Sequence, residues 1–412
     1  MHGQLATSIV RGVEQTPAPA TRLLSIDLLR GAVMIVMLLD HVRDFVHRDG
    51  LTVDPTDPTT THAALFFTRW ITHFCAPVFV FLAGTSACLM LARGMGRRAL
   101  AAFLIRRGLF LVAFELVVLR PLIWFNLDYS FVAHLQVIWA IGWSMVSLGA
   151  LLWLPNVAIG ALGLALIAGH NAWPHANFTF AQFPSWAALD VVAHHKGAIR
   201  LGADGPIAFV QYPLIPWVGV LLCGFWLGAL YQRDPARRRR VLLGLGIGAS
   251  VLFLVLRGAI AYGDPSPWTS QATLAQTVFS FLRVEKYPPS LHFLLMTLGP
   301  ALLALAALDG WREAGRWRLV VTLGRVPLFF YVLQWPAAHL ASRLFQLLDG
   351  QPIGWDSPNP ITLGNALPPD CGFSLPVVYL AWALCLVAIT PLCVAYARFK
   401  RARPHWRMLS YL

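Results

Sequence analysis

Residues 22–47 read RLLSIDLLRGAVMIVMLLDHVRDFVH, and this stretch decides how the chain is built. About twenty residues of α-helix cross a hydrocarbon core of about 30 Å, because each residue adds about 1.5 Å. The apolar centre of the stretch is flanked by Asp27 and Arg30 at one end and by ionisable residues from Asp40 to Asp44 at the other. The pattern therefore predicts a membrane helix with functional groups near both of its ends.

The rest of the chain shares the apolar character of this helix. Of the 412 residues, 57% are hydrophobic and 12% are charged, and the mean hydropathy is +0.62. An average soluble domain has about 45–50% apolar and about 25% charged residues, so a disordered chain, a coiled coil and an ordinary soluble enzyme are excluded. We predict an all-α, polytopic membrane helical bundle of about ten transmembrane helices. The predicted spans are 24–46, 70–92, 101–119, 133–153, 156–172, 209–231, 241–261, 290–309, 319–346 and 374–398.

Positive charges indicate the orientation of these spans. The chain has 32 Lys and Arg residues against 19 Asp and Glu residues, which gives a net charge of +13. Most of the basic residues fall in alternate connections, which the positive-inside rule assigns to the cytoplasm. We therefore predict a single transmembrane domain over 23–400, with both termini cytoplasmic in tails at 1–22 and 401–412. Nucleic acid is not expected as a partner, because no basic face interleaved with aromatic residues lies outside the spans.

Cysteine usage indicates neither a disulfide framework nor a metal site. Five of the six cysteines lie inside apolar runs, and no CxxC or Cys/His spacing typical of zinc occurs. No metal is expected.

The outer end of the first helix gathers the residues that we predict to be catalytic. His41 and Asp44 are three residues apart and share a helix face, and a carboxylate partner orients a histidine for general-base catalysis. Asp40 lies on a neighbouring face, and His73 opens the second span at the same level. The predicted catalytic residues are His41, Asp44, His73 and Asp40. His41 is the first candidate for the base, and His73 is the second candidate or a donor to the developing oxyanion.

Other polar and aromatic residues in or near the spans form the candidate substrate-binding set. Two prolines interrupt the sixth span around Trp217, which frees backbone carbonyls that neighbours must satisfy. The segment before the eighth span is also polar and lies on the outer side. The predicted substrate-binding residues are Arg43, Trp217, Lys286, Tyr287, His292 and Gln334.

The order of these motifs resembles the heparan-alpha-glucosaminide N-acetyltransferase catalytic-domain family, within a wider superfamily of transmembrane acyltransferases. The first helix carries RxxSIDxxRG followed by MxxDHxRDF over 22–45. Further matching segments occur in the same order along most of the chain. They are FVFLAGTS at 79–86, YPLIPWVG at 212–219, KYPPSL at 286–291, LMTLGP at 295–300 and GRVPLFFY at 324–331.

The resemblance implies an enzyme, an acetyl-CoA-dependent N- or O-acetyltransferase of a bacterial inner membrane. Members of the family take acetyl from cytosolic acetyl-CoA and pass it to an acceptor across the membrane, such as a terminal glucosamine amine. The implied partners are a glycan or glycolipid acceptor and membrane lipid, and a monomer and a homodimer both remain open. Basic residues near the cytoplasmic ends of the helices would bind the CoA phosphates. The predicted donor-binding residues are Arg30, Arg93, Arg97 and Arg98.

A proton-coupled membrane transporter or flippase is the alternative function. Ten spans, proline-broken helices and intramembrane His/Asp pairs also suit a carrier. Against a carrier are the lack of a visible internal repeat and the concentration of charge on the first helix.

Overall fold

A computed structural model describes residues 23–50, 52–128, 131–173, 187–202, 205–311, 314–354, 371–403, 405, 406 and 409. The predicted tail at 1–22 and much of the one at 401–412 lie outside the described residues. The described residues form fifteen α-helices and three short strands. In chain order they are α1 (Leu24–Val46), α2 (Ala63–Trp70), α3 (Cys75–Ala92), α4 (Arg97–Phe114), α5 (Arg120–Trp124), β1 (Phe131–Leu135), α6 (Val137–Leu151), α7 (Asn156–Gly169), α8 (Ala187–Ala193), β2 (Gly197–Arg200), β3 (Ile207–Val210), α9 (Leu214–Gly228), α10 (Pro235–Gly258), α11 (Leu274–Leu282), α12 (Leu291–Leu308), α13 (Arg318–Arg325), α14 (Pro327–Leu348) and α15 (Leu375–Ala402).

The protein is mainly helical, and several of its helices have the length and composition of membrane spans. Within the described ranges, five helices are long and apolar enough to cross a bilayer. Two shorter apolar helices, Val137–Leu151 and Asn156–Ala172, also match predicted spans. The five long helices are Ala63–Ala92, Leu214–Gln232, Pro235–Gly258, Leu291–Leu308 and Leu375–Ala402. These findings establish a multi-pass helical membrane protein; ten spans and cytoplasmic termini stay predictions.

Two of the predicted spans begin too early, and the fold is not purely α-helical. Residues 133–135 lie in β1 and 209–210 lie in β3, where a helix was predicted. β1 pairs in parallel with β3, and β3 pairs in antiparallel with β2, so the sheet order is β1-β3-β2. Short apolar runs do not distinguish a strand from a helix by periodicity, and the pairing joins segments far apart in the chain.

The predicted span at 319–346 is broken into two helices. Gly315–Arg325 and Pro327–Leu348 meet at an angle of 85°. Proline disfavours helical geometry in the residue before it, and Pro327 is itself well suited to the first turn of the new helix. The break therefore follows from the sequence, and it lets α13 cross α1 while α14 runs beside it.

Helix α1 is the centre of the bundle and packs against α3, α12, α13, α14 and α15. Its crossing with α13 is very close: a Cβ on Gly31 would overlap the backbone oxygen of Val320, and one on Gly324 would overlap that of Asp27. Glycine alone permits such an approach of two backbones. The glycine of the Arg30-Gly31 motif therefore has a packing role, and it brings α13 beside the charged end of α1.

Candidate active site

One large cavity runs along helix α1. Its volume is about 1200 Å³, which exceeds the 300–1,000 Å³ typical of sites for drug-sized ligands. The residues of α1 that face it recur every three or four positions and form one stripe. The main members of the stripe are Arg30, Met34, Met37, His41 and Asp44. From Arg30 to Asp44 the helix rises by about 21 Å, so a single cavity reaches both charged ends of α1.

His41 lies at the end of the cavity that was predicted to face outward. Its Nδ1 is 4.0 Å from Asp44 Oδ2, one helical turn further along. Its ring lies against Trp335 of α14, with ring centroids 3.9 Å apart. His41 Nδ1 has no hydrogen-bond partner among the described residues. The imidazole is thus packed between a carboxylate and an indole, and the residue lines the cavity.

Asp40 belongs to a network of charges around the histidine. Arg43 pairs with the carboxylates of both Asp40 and Asp44. Its Nη2 lies 3.3 Å from Asp40 Oδ1. Arg69, from α2, pairs with the other oxygen of Asp40 and approaches Thr72 Oγ1 at 3.4 Å. A carboxylate held by two guanidinium groups is stabilised in its charged form. The arrangement favours Asp40 as a structural anchor and leaves Asp44 beside His41.

The part of the cavity lining that comes from β1 and from the segment before α12 is polar and aromatic. His134 of β1 shares hydrogen bonds with Gln211 Oε1 at 2.6 Å and with Gln136 Nε2 at 2.8 Å. The Lys286 ammonium lies 5.1 Å from the ring centroid of Tyr287. Burial would raise the pKa of Tyr287, but the nearby positive charges, above all that of Lys286, hold this pKa below its usual value. This part of the cavity has donors, acceptors and an aromatic surface together, which suits a polar organic substrate.

The other end of the cavity is basic. Arg30 donates to Ser86 Oγ at 2.9 Å and to the Gly324 carbonyl at 3.4 Å. Four further basic residues line this end with it. They are Arg106, Arg107, Arg325 and Lys400. Of the predicted donor-binding residues, Arg93, Arg97 and Arg98 are not among the lining residues, and Arg97 donates instead to the Leu152 carbonyl at 3.4 Å.

Not all of the predicted site residues line the cavity. Those that do are His41, Asp40, Asp44, Arg30, Arg43, Lys286 and Tyr287. The described lining set does not include His73, which is buried against Phe293 with ring centroids 5.5 Å apart. Trp217 and Gln334 are also fully buried outside it, and His292 packs at 6.4 Å from the Phe253 ring. These four side chains lie in the core of the bundle.

Several lining residues were not predicted as part of a site. Arg69, Trp335 and Gln211 have no neighbouring motif that marks them, and only the packing of α2, α14 and the sheet brings them to α1. The basic residues 106, 107 and 400 were recognised in the sequence only as a topology signal. The stripe at 99, 103, 106 and 107, which faces the cavity, was a usable signal in the helical periodicity of α4. The described residues hold no group of three or more His, Cys, Asp or Glu suited to a metal ion.

The chain matches the sequence model of one protein family. A sequence model described as heparan-alpha-glucosaminide N-acetyltransferase, catalytic, matches residues 22–258. The match covers more than half of the chain and includes both charged ends of α1. No curated protein matches the chain.

Proposed function

The chain belongs to the heparan-alpha-glucosaminide N-acetyltransferase catalytic-domain family, a family of membrane acetyltransferases, and we propose that it transfers acetyl from cytosolic acetyl-CoA to a glycan or glycolipid on the other side of the membrane. The acceptor group is an amine or a hydroxyl. The observation that carries the proposal is the single cavity, lined by basic residues at one end and by His41 with Asp44 at the other. A bacterial inner membrane remains the proposed location.

The basic end of the cavity suits the nucleotide part of the donor. Guanidinium and ammonium groups bind phosphate oxygens through charge-assisted hydrogen bonds. Arg30, Arg106, Arg107 and Lys400 supply four such groups to the cavity lining. We assign the CoA phosphates to this end, in place of the set that included Arg93, Arg97 and Arg98.

The middle of the cavity suits the pantetheine arm of the donor. From Arg30 to His41 the helix rises by about 16 Å, roughly half of the hydrocarbon core. The lining between them is largely apolar, with Met34 and Met37 from α1 and Phe79 and Ala83 from α3. An extended arm threaded along this lining would bring the thioester close to His41.

His41 is the proposed general base of the transfer. It would accept the proton of the acceptor amine or hydroxyl as that group attacks the acetyl carbonyl. The new bond joins the acceptor to the acetyl carbon, the carbon–sulfur bond breaks, and CoA leaves as a thiolate that takes the proton from His41. Asp44 would stabilise the imidazolium formed in between. Arg43 and Lys286 are proposed to hold the acceptor, with Tyr287 as an aromatic surface for it.

Acetyl transfer by purified protein tests this function. Detergent-solubilised protein is given acetyl-CoA and glucosamine, and released CoA and N-acetylglucosamine are measured. Binding of acetyl-CoA at one hundred times its dissociation constant should stabilise the fold by about 2.7 kcal/mol. No thermal shift with millimolar acetyl-CoA, together with proton flux in reconstituted vesicles, would favour the carrier instead.

A further inference from the structure

The connection between α10 and α12 contains a buried ion pair outside the cavity lining. Arg257 Nη1, at the end of α10, lies 3.5 Å from Asp264 Oδ1, and the two side chains are only 2% and 1% exposed. Removing one partner of such a pair leaves a buried charge without compensation. The same guanidinium donates to four backbone carbonyls. They belong to Ser266, Ser280, Phe281 and Arg283.

The other oxygen of Asp264 holds both ends of a short loop. Oδ2 accepts a hydrogen bond from the Glu285 backbone N–H at 2.9 Å and another from Ser290 Oγ at 2.6 Å. The Ser290 backbone N–H closes the loop by donating to the Glu285 carbonyl at 2.9 Å. Ser290 also caps α12, since its Oγ accepts from the Phe293 N–H at 3.0 Å. One carboxylate therefore fixes where the loop begins and where it ends.

The loop between Glu285 and Ser290 carries Lys286 and Tyr287 into the cavity. Lys286 is only 8% exposed, and the Tyr287 ring meets that of Tyr212 with centroids 5.4 Å apart. A lysine side chain has many rotamers, so its ammonium is placed precisely only when its backbone is fixed. The placement of both side chains thus depends on a carboxylate that does not itself line the cavity.

We propose that Asp264 is a positioning residue for acceptor binding, acting with Arg257 and Ser290 to hold the loop that presents Lys286 and Tyr287. The inference rests on the proposed function, because that function assigns this end of the cavity to the acceptor. Its consequence is specific: loss of the Asp264 carboxylate weakens acceptor binding and leaves the donor end, lined by Arg30 and Lys400, unchanged.

Lysine labelling tests the positioning without any need for turnover. The chain has three lysines, Lys196, Lys286 and Lys400. Lys196 lies 5.6 Å from the ring centroid of Tyr287 and so contacts the loop itself, and Lys400 is therefore the internal standard for Lys286. Reductive methylation of purified protein, read by peptide mass spectrometry, should label Lys286 at least about fivefold faster in Asp264→Asn, because local opening of the loop exposes it. Unchanged labelling of Lys286 in folded Asp264→Asn overturns the proposal.

A matched ion pair at the other end of α10 provides the control. Arg238 Nε lies 2.9 Å from Asp309 Oδ1, and these side chains are also nearly buried. Asp309→Asn therefore breaks a comparable pair far from the loop, and Lys286 labelling should stay at the wild-type rate. Faster labelling in both variants would mean a general loss of stability and would also overturn the proposal.

Kinetics separate positioning from a merely structural role. In Asp264→Asn the KM for glucosamine should rise about tenfold, the effect of a misplaced binding group, and the KM for acetyl-CoA should stay within about twofold. Ser290→Ala should act in the same direction and serves if Asp264→Asn does not fold. Thr273→Ala removes the cap of α11, where Thr273 Oγ1 accepts from Gln276 N–H at 3.2 Å, and should change neither constant.

The outcomes distinguish the two proposals. An equal rise of both KM values in Asp264→Asn contradicts the positioning role. If the wild-type protein transfers no acetyl to glucosamine, the proposed function fails for this acceptor, and the labelling of Lys286 still decides whether Asp264 positions the loop.

Discussion

The imidazole Nδ1 of His41 lies 4.0 Å from Oδ2 of Asp44, one turn further along the same helix. Trp335 packs on the histidine ring with centroids 3.9 Å apart, so the ring has little freedom to rotate. A histidine that lines a cavity beside a carboxylate is the arrangement expected of a general base. The relationship makes the chemistry at this end of α1 testable one residue at a time.

Removing the imidazole should abolish most of the transfer. We expect His41→Gln to lower kcat by roughly 100- to 10,000-fold, the usual contribution of a general base, with a nearly unchanged KM for acetyl-CoA. CoA release by folded, purified variant measures it. His73→Gln is the comparison, because His73 is buried outside the cavity lining. A large loss in His73→Gln with normal turnover in His41→Gln would move the base to His73.

The carboxylate of Asp44 should act through the histidine. We expect Asp44→Asn to lower kcat by at least about tenfold, because the imidazolium loses its stabilising charge, with little change in either KM. Asp40→Asn should behave differently, because Asp40 compensates Arg43 and Arg69. Its main effect should be a loss of about 3–5 kcal/mol in unfolding free energy. Equal kinetic effects without loss of stability in Asp40→Asn would contradict these assignments.

The sequence was informative where one helix sets the geometry. Spacing on α1 alone predicts that His41 and Asp44 share a face, and the structure confirms their proximity. The apolar runs likewise predict most helices to within a few residues. The spacing of residues on α1 does not predict how this helix is rotated against its neighbours. That rotation brings Trp335 and Arg69 into the site.

The basic residues that line the proposed donor end could not be predicted from the sequence either. The positive-inside rule assigns arginines to a side of the membrane, but it does not say which of them face inward. Arg98, near the start of α4, does not line the cavity, whereas Arg106 and Arg107 line it further along the same helix. Lys400 is distant in sequence and reaches the site only through the packing of α15.

The crossing of α1 and α13 should not tolerate a side chain. A Cβ at Gly324 would overlap the backbone oxygen of Asp27, so Gly324→Ala forces the two helices apart. We expect a loss of about 1–3 kcal/mol in unfolding free energy, as for other overpacked cores, measured by thermal unfolding in detergent. Gly248→Ala on α10 is the control, since no atom lies within 4 Å of the added Cβ. Equal stability of the two variants would contradict the close crossing.

The loops that contain Asp54 and Arg283 should respond to acid. Asp54 lies 2.8 Å from Arg283 and accepts two hydrogen bonds from Thr56. Burial raises the pKa of Asp54, but the Thr56 hydrogen bonds and Arg283 outweigh it, so this pKa lies below its usual value. A lowered folded pKa stabilises the fold above the unfolded pKa of about 3.9, and this contribution is lost as pH falls through the folded pKa.

The free energy of unfolding should differ slightly between wild type and Asp54→Asn, and the difference should shrink in acid. Because both side chains are nearly half exposed, we expect Asp54→Asn to cost less than about 1 kcal/mol at pH 6 and still less near pH 3. Thermal midpoints of wild type and variant at the two pH values measure this. Arg283→Gln should remove the same pairing, so the double variant should lose less than the two single variants together. A difference that grows in acid would have the wrong sign.

Donor binding should depend on the basic residues that line the cavity and not on basic residues in general. Arg106 and Arg98 lie on the same helix, but only Arg106 lines the cavity. We expect Arg106→Ala and Lys400→Ala each to raise the KM for acetyl-CoA by about tenfold, the loss of one charge-assisted hydrogen bond, and Arg98→Ala to leave it unchanged. Acetyl-pantetheine has no nucleotide, so its KM should be the same in all three variants and the wild type.

Two outcomes would contradict this assignment of the donor phosphates. If Arg98→Ala raises the KM for acetyl-CoA as much as Arg106→Ala does, attraction by overall surface charge explains donor binding. If the KM for acetyl-pantetheine rises as much as the KM for acetyl-CoA, these residues stabilise the helices and do not bind the nucleotide. Only the combination of a selective loss for acetyl-CoA and a silent Arg98→Ala places the phosphates at this end of α1.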